Sequence, residues 1–125
     1  MLRLPEDMVL EKIIKAAKKA QEFGAEIVGL GAFTAVVGDA GLTVAKNTDI
    51  AVTTGNSYTV ATALQGIRYA ADSMEVSLDE ASIAILGATG SIGSACARIL
   101  ARDVGKMVLA ARSSDKLGKL ASKIK

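Results

Sequence analysis

Three glycines stand at fixed spacing in Gly87-Ala88-Thr89-Gly90-Ser91-Ile92-Gly93, directly after the apolar run Ile83-Ala84-Ile85-Leu86 and before an apolar helical stretch. A strand that turns through such a sequence into a helix suits phosphate binding. Gly87 permits a tight turn, Gly90 lets a pyrophosphate approach the backbone, and Gly93 allows the helix to pack closely on the strand. The helix start then offers free amide donors and a positive dipole end to an anion. Thr89 and Ser91 add hydroxyl donors, and Ile92 lies in the same first turn. An ordinary strand-to-helix turn would also use glycine, so the next strand is the second test. There Ala110-Ala111-Arg112-Ser113-Ser114 places Arg112 19 residues beyond Gly93. A site for a free ribose 2′-hydroxyl would carry Asp or Glu at that point. A guanidinium flanked by hydroxyls fits a 2′-phosphate instead, with Arg112 paired bidentately and Ser113 or Ser114 donating a further hydrogen bond. The cofactor expected is NADP(H).

Weaker candidates surround this motif. Thr53-Thr54-Gly55-Asn56-Ser57 occupies a strand end and a helix start, a place that faces ligands in open parallel sheets but equally suits a capped turn. Asn56 is therefore a weak catalytic candidate. Lys46 is the one cation in the glycine-rich stretch 31–47 and could donate a proton or anchor a carboxylate; a solvated loop lysine explains it as well. Cys96 falls on the helix after the glycine turn, and with no histidine in the chain to activate it, a packed small side chain is the simpler expectation.

Composition narrows the classes. One cysteine and no histidine leave scattered carboxylates as metal ligands, so no metal site is expected, and Ser-His-Asp chemistry within this sequence is excluded. A net charge of +2, with charged residues dispersed, gives no electrostatic case for nucleic acid, and two Phe, two Tyr and no Trp offer little for base stacking. No apolar run approaches the length of a bilayer span, and no signal core is visible at the start, so a cytoplasmic protein is expected.

The elements that must hold these residues alternate. Val9, Leu10, Ile13, Ile14, Ala17 and Ala20 recur at three- and four-residue steps, predicting a helix over 5–23 with Pro5 in its first turn and Gly24 as its stop. Strands are expected at 25–30, 50–54, 82–86 and 107–111, the first two being short apolar runs of the kind covered on both faces in a parallel sheet. The stretch 31–47 reads as loop with a short helix at most. Val60, Leu64, Ile67, Ala71 and Met74 predict a long helix after Asn56, with further helices at 91–102 and from Asp115. The fold class expected is α/β, a parallel sheet flanked by helices: a partial Rossmann fold preceded by a smaller substrate-side segment. The polar stretch 75–81 marks the expected boundary, giving a substrate-side segment over 1–78 and the first half of an NADP-binding domain over 79–125, itself expected to be truncated.

Taken together, Leu30-Gly31-Ala32-Phe33-Thr34, Thr53-Thr54-Gly55-Asn56-Ser57-Tyr58-Thr59 and Gly87-Ala88-Thr89-Gly90-Ser91-Ile92-Gly93-Ser94 resemble the long-chain acyl-acyl-carrier-protein reductases of cyanobacteria and relatives labelled predicted amino-acid dehydrogenases. The resemblance runs over about 27–102. It implies an NADPH-dependent reductase that turns a thioester into an aldehyde through a cysteine acyl-enzyme. That family's reactive cysteine lies beyond the cofactor fold, and Cys96 does not take its place. A more distant likeness is to shikimate dehydrogenases, through Gly41-Leu42-Thr43-Val44-Ala45-Lys46, although the proline and asparagine expected around that lysine are missing. The function expected is hydride transfer between NADP(H) and a carbonyl substrate. An acyl thioester, with acyl carrier protein as partner, is the family-led choice, and a hydroxy, keto or amino acid is the alternative. A non-catalytic nucleotide-sensing module belongs to a different class, since fold alone does not set activity. Homo-oligomerisation would cover exposed sheet edges. The motifs around Gly31 and Asn56 are expected to line one cleft facing the glycine turn.

Overall fold

A computed structural model describes residues 4–124, which form two compact units, one ending at Gly55 and one beginning at Asn56. The segment boundary expected at 78/79 lies inside the second unit.

In the first unit, α1 (Glu6–Glu22) follows Pro5, whose extended ψ of 145° places it at the N-cap, just outside the helix rather than in its first turn. Its carbonyl accepts the amide of Val9 at 3.1 Å. Glu6 and Asp7 meet the positive helix end and Lys19 the negative one. Gly24, at φ +86°, ends the helix as expected. The apolar stripe buries Ile13 and Ala17 against Leu30 and Val44, with Val9, Leu10, Ile14, Val28 and Val52 packed around them. β1 (Ile27–Gly29) and β2 (Ala51–Thr53) pair in parallel, Ile27 opposite Ala51 and Gly29 opposite Thr53. Between them the glycine-rich stretch forms a 3-10 turn, Ala32–Ala35, and a short helix α2 (Leu42–Lys46). Gly41 is the N-cap of α2, and Asp39 braces its first turn: the carboxylate accepts the Thr43 amide at 2.9 Å and the Thr43 hydroxyl at 2.8 Å. These bonds hold its carboxyl below the usual carboxylate range.

The second unit orders α3 (Asn56–Ser73), β3 (Ser82–Leu86), α4 (Ser91–Leu100), β4 (Lys106–Ala110) and α5 (Ser114–Ile124). β3 and β4 are parallel, in register from Ser82 with Lys106 to Leu86 with Ala110. α4 presents Cys96 and Leu100 to Val60 and Leu64 of α3, while Ala97 and Ala88 meet Leu120 of α5. Arg68 of α3 and Asp103 form an exposed ion pair at 2.7 Å.

One expectation is corrected. The strands are not covered on both faces: in β1, Val28 is half-buried while Ile27 and Gly29 are exposed, and in β3, Ile83 and Ile85 are half-buried while Ser82, Ala84 and Leu86 are exposed, Leu86 by 82%. Successive strand side chains point to opposite faces, so helices of the same unit cover one face and leave the other open. An apolar run reports affinity for burial and not what covers it.

Candidate functional site

The glycine turn is built by β3 running out at Leu86. Gly87 takes φ +74°, a conformation that costs a residue with a Cβ. The amides of Gly87 and Ala88 both donate to the Ala110 carbonyl, at 2.8 and 3.0 Å. That carbonyl ends β4, two residues before Arg112, so one acceptor ties the turn to the loop carrying the guanidinium. Ala88 is fully buried beneath the turn. The Gly87 carbonyl accepts the Gly90 amide at 2.9 Å. A Cβ at Gly90 would lie 3.3 Å from that same oxygen, and one at Gly93 only 2.5 Å from it. No side chain fits at Gly93 without moving backbone.

α4 begins at Ser91 with Gly90 as an extended N-cap and no capping side chain. Its first amides therefore have no partner within the helix or from a cap, as a phosphate site requires. The Asn56 amide donates to the Ser91 hydroxyl oxygen at 3.1 Å, which brings the start of α3 to the start of α4. Ser91 keeps its own O–H for donation.

A cleft of about 880 Å³ connects the turn with the end of β4. Gly87, Thr89, Gly90, Arg112 and Ser113 line it together. Arg112 is exposed and forms no ion pair with a described residue. Ser113 accepts a long 3.5 Å contact from the Lys116 amide at the start of α5. Ser91, Ile92 and Gly93 line a neighbouring apolar cavity of about 660 Å³ with Ile67, Cys96 and Leu100. Ser114 is exposed and lines neither. Lys46 ends α2 in the first unit, exposed to solvent. Cys96 is 7% exposed within the α3–α4 core, a packed small side chain.

Sequence reasoning missed Lys116, which lines the same cleft as Arg112. A signal was available. Lys116 follows Arg112 by four residues, close enough in sequence for the turn from β4 into α5 to bring both cations to one cleft. Among the described residues no group of three or more His, Cys, Asp or Glu could hold a metal ion. Nor is any described helix long and apolar enough to cross a membrane.

No family model matches the chain. It is 32% identical over 122 residues to the long-chain acyl-[acyl-carrier-protein] reductase of Synechococcus elongatus, covering 90% of this chain and 36% of that protein. It is also 32% identical over 92 residues to the aminotransferase PigE of a Serratia species, covering 74% of this chain and 11% of that protein. The chain thus spans about a third or less of each of these relatives. The resemblance read from three short motifs extends over nearly the whole chain, which is a relative of the long-chain acyl-[acyl-carrier-protein] reductase matching one part of it.

Proposed function

We propose that this chain carries the NADP(H)-binding part of an oxidoreductase that transfers hydride to a carbonyl carbon, with an acyl thioester as the favoured substrate class. One observation carries the reading: the glycine turn and the Arg112 loop line a single cleft and share the Ala110 carbonyl as anchor. The cradle fits the group, because α4 starts with no capping side chain over its first amides and Gly93 lets that helix start lie directly against the turn, where a Cβ would meet the Gly87 carbonyl at 2.5 Å. When bound, the cofactor supplies the hydride. The chain's own residues bind and orient it. The uncapped amides at the start of α4 and the Thr89 hydroxyl receive the pyrophosphate, and Arg112, Lys116 and Ser113 receive the 2′-phosphate. Ser114 does not line that cleft and is assigned no contact with the cofactor. Asn56, held on Ser91, is suited to positioning the cofactor next to the pyrophosphate, and Lys46 is assigned no part in the reaction. The thioester follows from the named activity of the Synechococcus relative, which makes a carrier-borne acyl group the expected partner.

The test is calorimetric. 2′,5′-ADP should bind the chain more tightly than 5′-ADP. Arg112→Asp should remove most of that preference, because hydrogen bonds to charged groups contribute about 1.5–3 kcal/mol, or roughly ten- to a hundredfold. Lys116→Ala should remove a smaller share. Equal affinity for the two nucleotides in the unmodified chain would refute the 2′-phosphate assignment.

A further inference from the structure

Positive charge gathers late in the chain. Residues 91–124 hold seven Lys and Arg against two Asp, a net +5 in a chain whose total is +2. Part of that charge lines a groove of about 210 Å³ beside the nucleotide cleft, where Arg98 of α4 meets Lys116, Lys119 and Lys123 of α5. The Thr89 and Ser94 side chains line it too, and its floor is Leu120, buried against Ala88 and Ala97. None of the four cations is ion-paired with a described residue. Asp115, the single acidic residue on either helix, does not line the groove. A lysine stripe on one helix is ordinarily a solvated face. Here a second helix brings a guanidinium and a hydroxyl to the same concavity, so like charges are held together over an apolar floor, which favours entry of an anion.

We propose that this groove is a second anion site, taking a linear oligophosphate of two or three phosphates, and that its occupancy weakens nucleotide binding in the adjoining cleft. Lys116, Lys119 and Lys123 follow one side of α5 over about 10 Å of helix, so a chain of linked anions meets all of them and a single ion does not. Arg98 offers a planar fork that phosphate oxygens accept bidentately, and the lysines add point charges. The volume lies below the roughly 300 Å³ at which pockets for whole small molecules begin, so phosphates enter while a base and ribose stay outside. Thr89 and Lys116 line both the groove and the nucleotide cleft. An oligophosphate in the groove engages donors assigned above to the pyrophosphate and the 2′-phosphate and sets like charge beside them; this coupling rests on the cofactor reading, whereas the anion site itself does not.

The experiment titrates tripolyphosphate, orthophosphate, ATP and hexaglutamate into the 125-residue chain in metal-free buffer. Tripolyphosphate should bind about tenfold or more tighter than orthophosphate, because it meets several cations at once. Arg98, Lys119 and Lys123 are exposed and line the groove but not the nucleotide cleft. The triple variant Arg98→Gln/Lys119→Gln/Lys123→Gln should therefore fold, keep the preference for 2′,5′-ADP over 5′-ADP, and lose about tenfold or more of its tripolyphosphate affinity. Bound tripolyphosphate should weaken 2′,5′-ADP binding severalfold in the parent chain and far less in the triple variant. ATP binding that falls in the triple variant names a nucleotide's triphosphate end as the source; tripolyphosphate binding without it names a free chain. Tripolyphosphate no tighter than orthophosphate would overturn the anion site, as would equal tripolyphosphate affinity in parent and triple variant. Hexaglutamate bound as tightly as tripolyphosphate would overturn it in favour of an acidic protein segment. Displacement of 2′,5′-ADP that persists in the triple variant would overturn the coupling, since tripolyphosphate would then occupy the cleft itself. Loss of the 2′,5′-ADP preference in the parent chain refutes the cofactor reading alone, because tripolyphosphate affinity is read without nucleotide.

Discussion

Replacing Gly93 with Ala tests how closely α4 must approach the glycine turn. The added Cβ would lie 2.5 Å from the Gly87 carbonyl oxygen, 3.1 Å from its carbon and 3.2 Å from the Ala88 Cα. Ordinary contact begins near 3.4 Å, so helix and turn must part by about 0.9 Å at the closest pair. Both partners are backbone, and the Gly87 carbonyl is already engaged by the Gly90 amide, so no rotamer change relieves the clash. Overpacking of this kind costs about 1–3 kcal/mol. Against it, Gly to Ala within a helix recovers about 0.5–1 kcal/mol. Gly118→Ala supplies the control: it lies in α5 of the same unit with nothing within 4 Å of the new Cβ. That variant should be more stable than the parent by up to about 1 kcal/mol. The propensity contribution is common to both variants, so their difference isolates the overpacking, about 1–3 kcal/mol. Urea unfolding followed by circular dichroism measures it. Gly93→Ala should also weaken 2′,5′-ADP binding, because the α4 amides move with the helix, whereas Gly118→Ala should leave binding unchanged. If Gly93→Ala proved as stable as Gly118→Ala and bound nucleotide equally well, the close approach would not be what that glycine provides.

Three further outcomes are expected. Cys96→Ala, in the α3–α4 core, should cost about 1 kcal/mol through lost packing and leave nucleotide affinity unchanged, while the native thiol reacts with a maleimide only as fast as the unit opens. The Asp39 carboxyl is held below its usual range first by the Thr43 amide and then by the Thr43 hydroxyl. A depressed folded-state value means its contribution is present above the unfolded carboxylate range and is lost as pH falls through the folded value; the stability gap between the parent chain and Asp39→Ala should therefore close in acid, as read from melting curves. Arg68→Ala breaks an exposed ion pair and should cost no more than about 1 kcal/mol, with 0.5 M salt shrinking the difference.

Much of this architecture was legible in the residues themselves. The stripe of α1 and the strand at Ser82–Leu86 appear where their period and composition place them, because helix and strand periodicity are properties of the chain and need no partner. Gly87 and Gly93 were equally readable, since positive φ and close approach admit almost no other residue type. The short helix Leu42–Lys46 was harder to see, because it starts from a glycine N-cap, Gly41 at φ +89°, and is braced by Asp39 on Thr43 within a loop of small residues. Tertiary structure alone decided which face of each strand is covered, since burial is a relation between elements. It alone set Asn56 on Ser91 across 35 residues of chain. The same holds for the Ala110 carbonyl: its sequence position says nothing of the two amides it accepts, because any residue type can supply a backbone acceptor and only parallel pairing of β3 with β4 brings the donors to it.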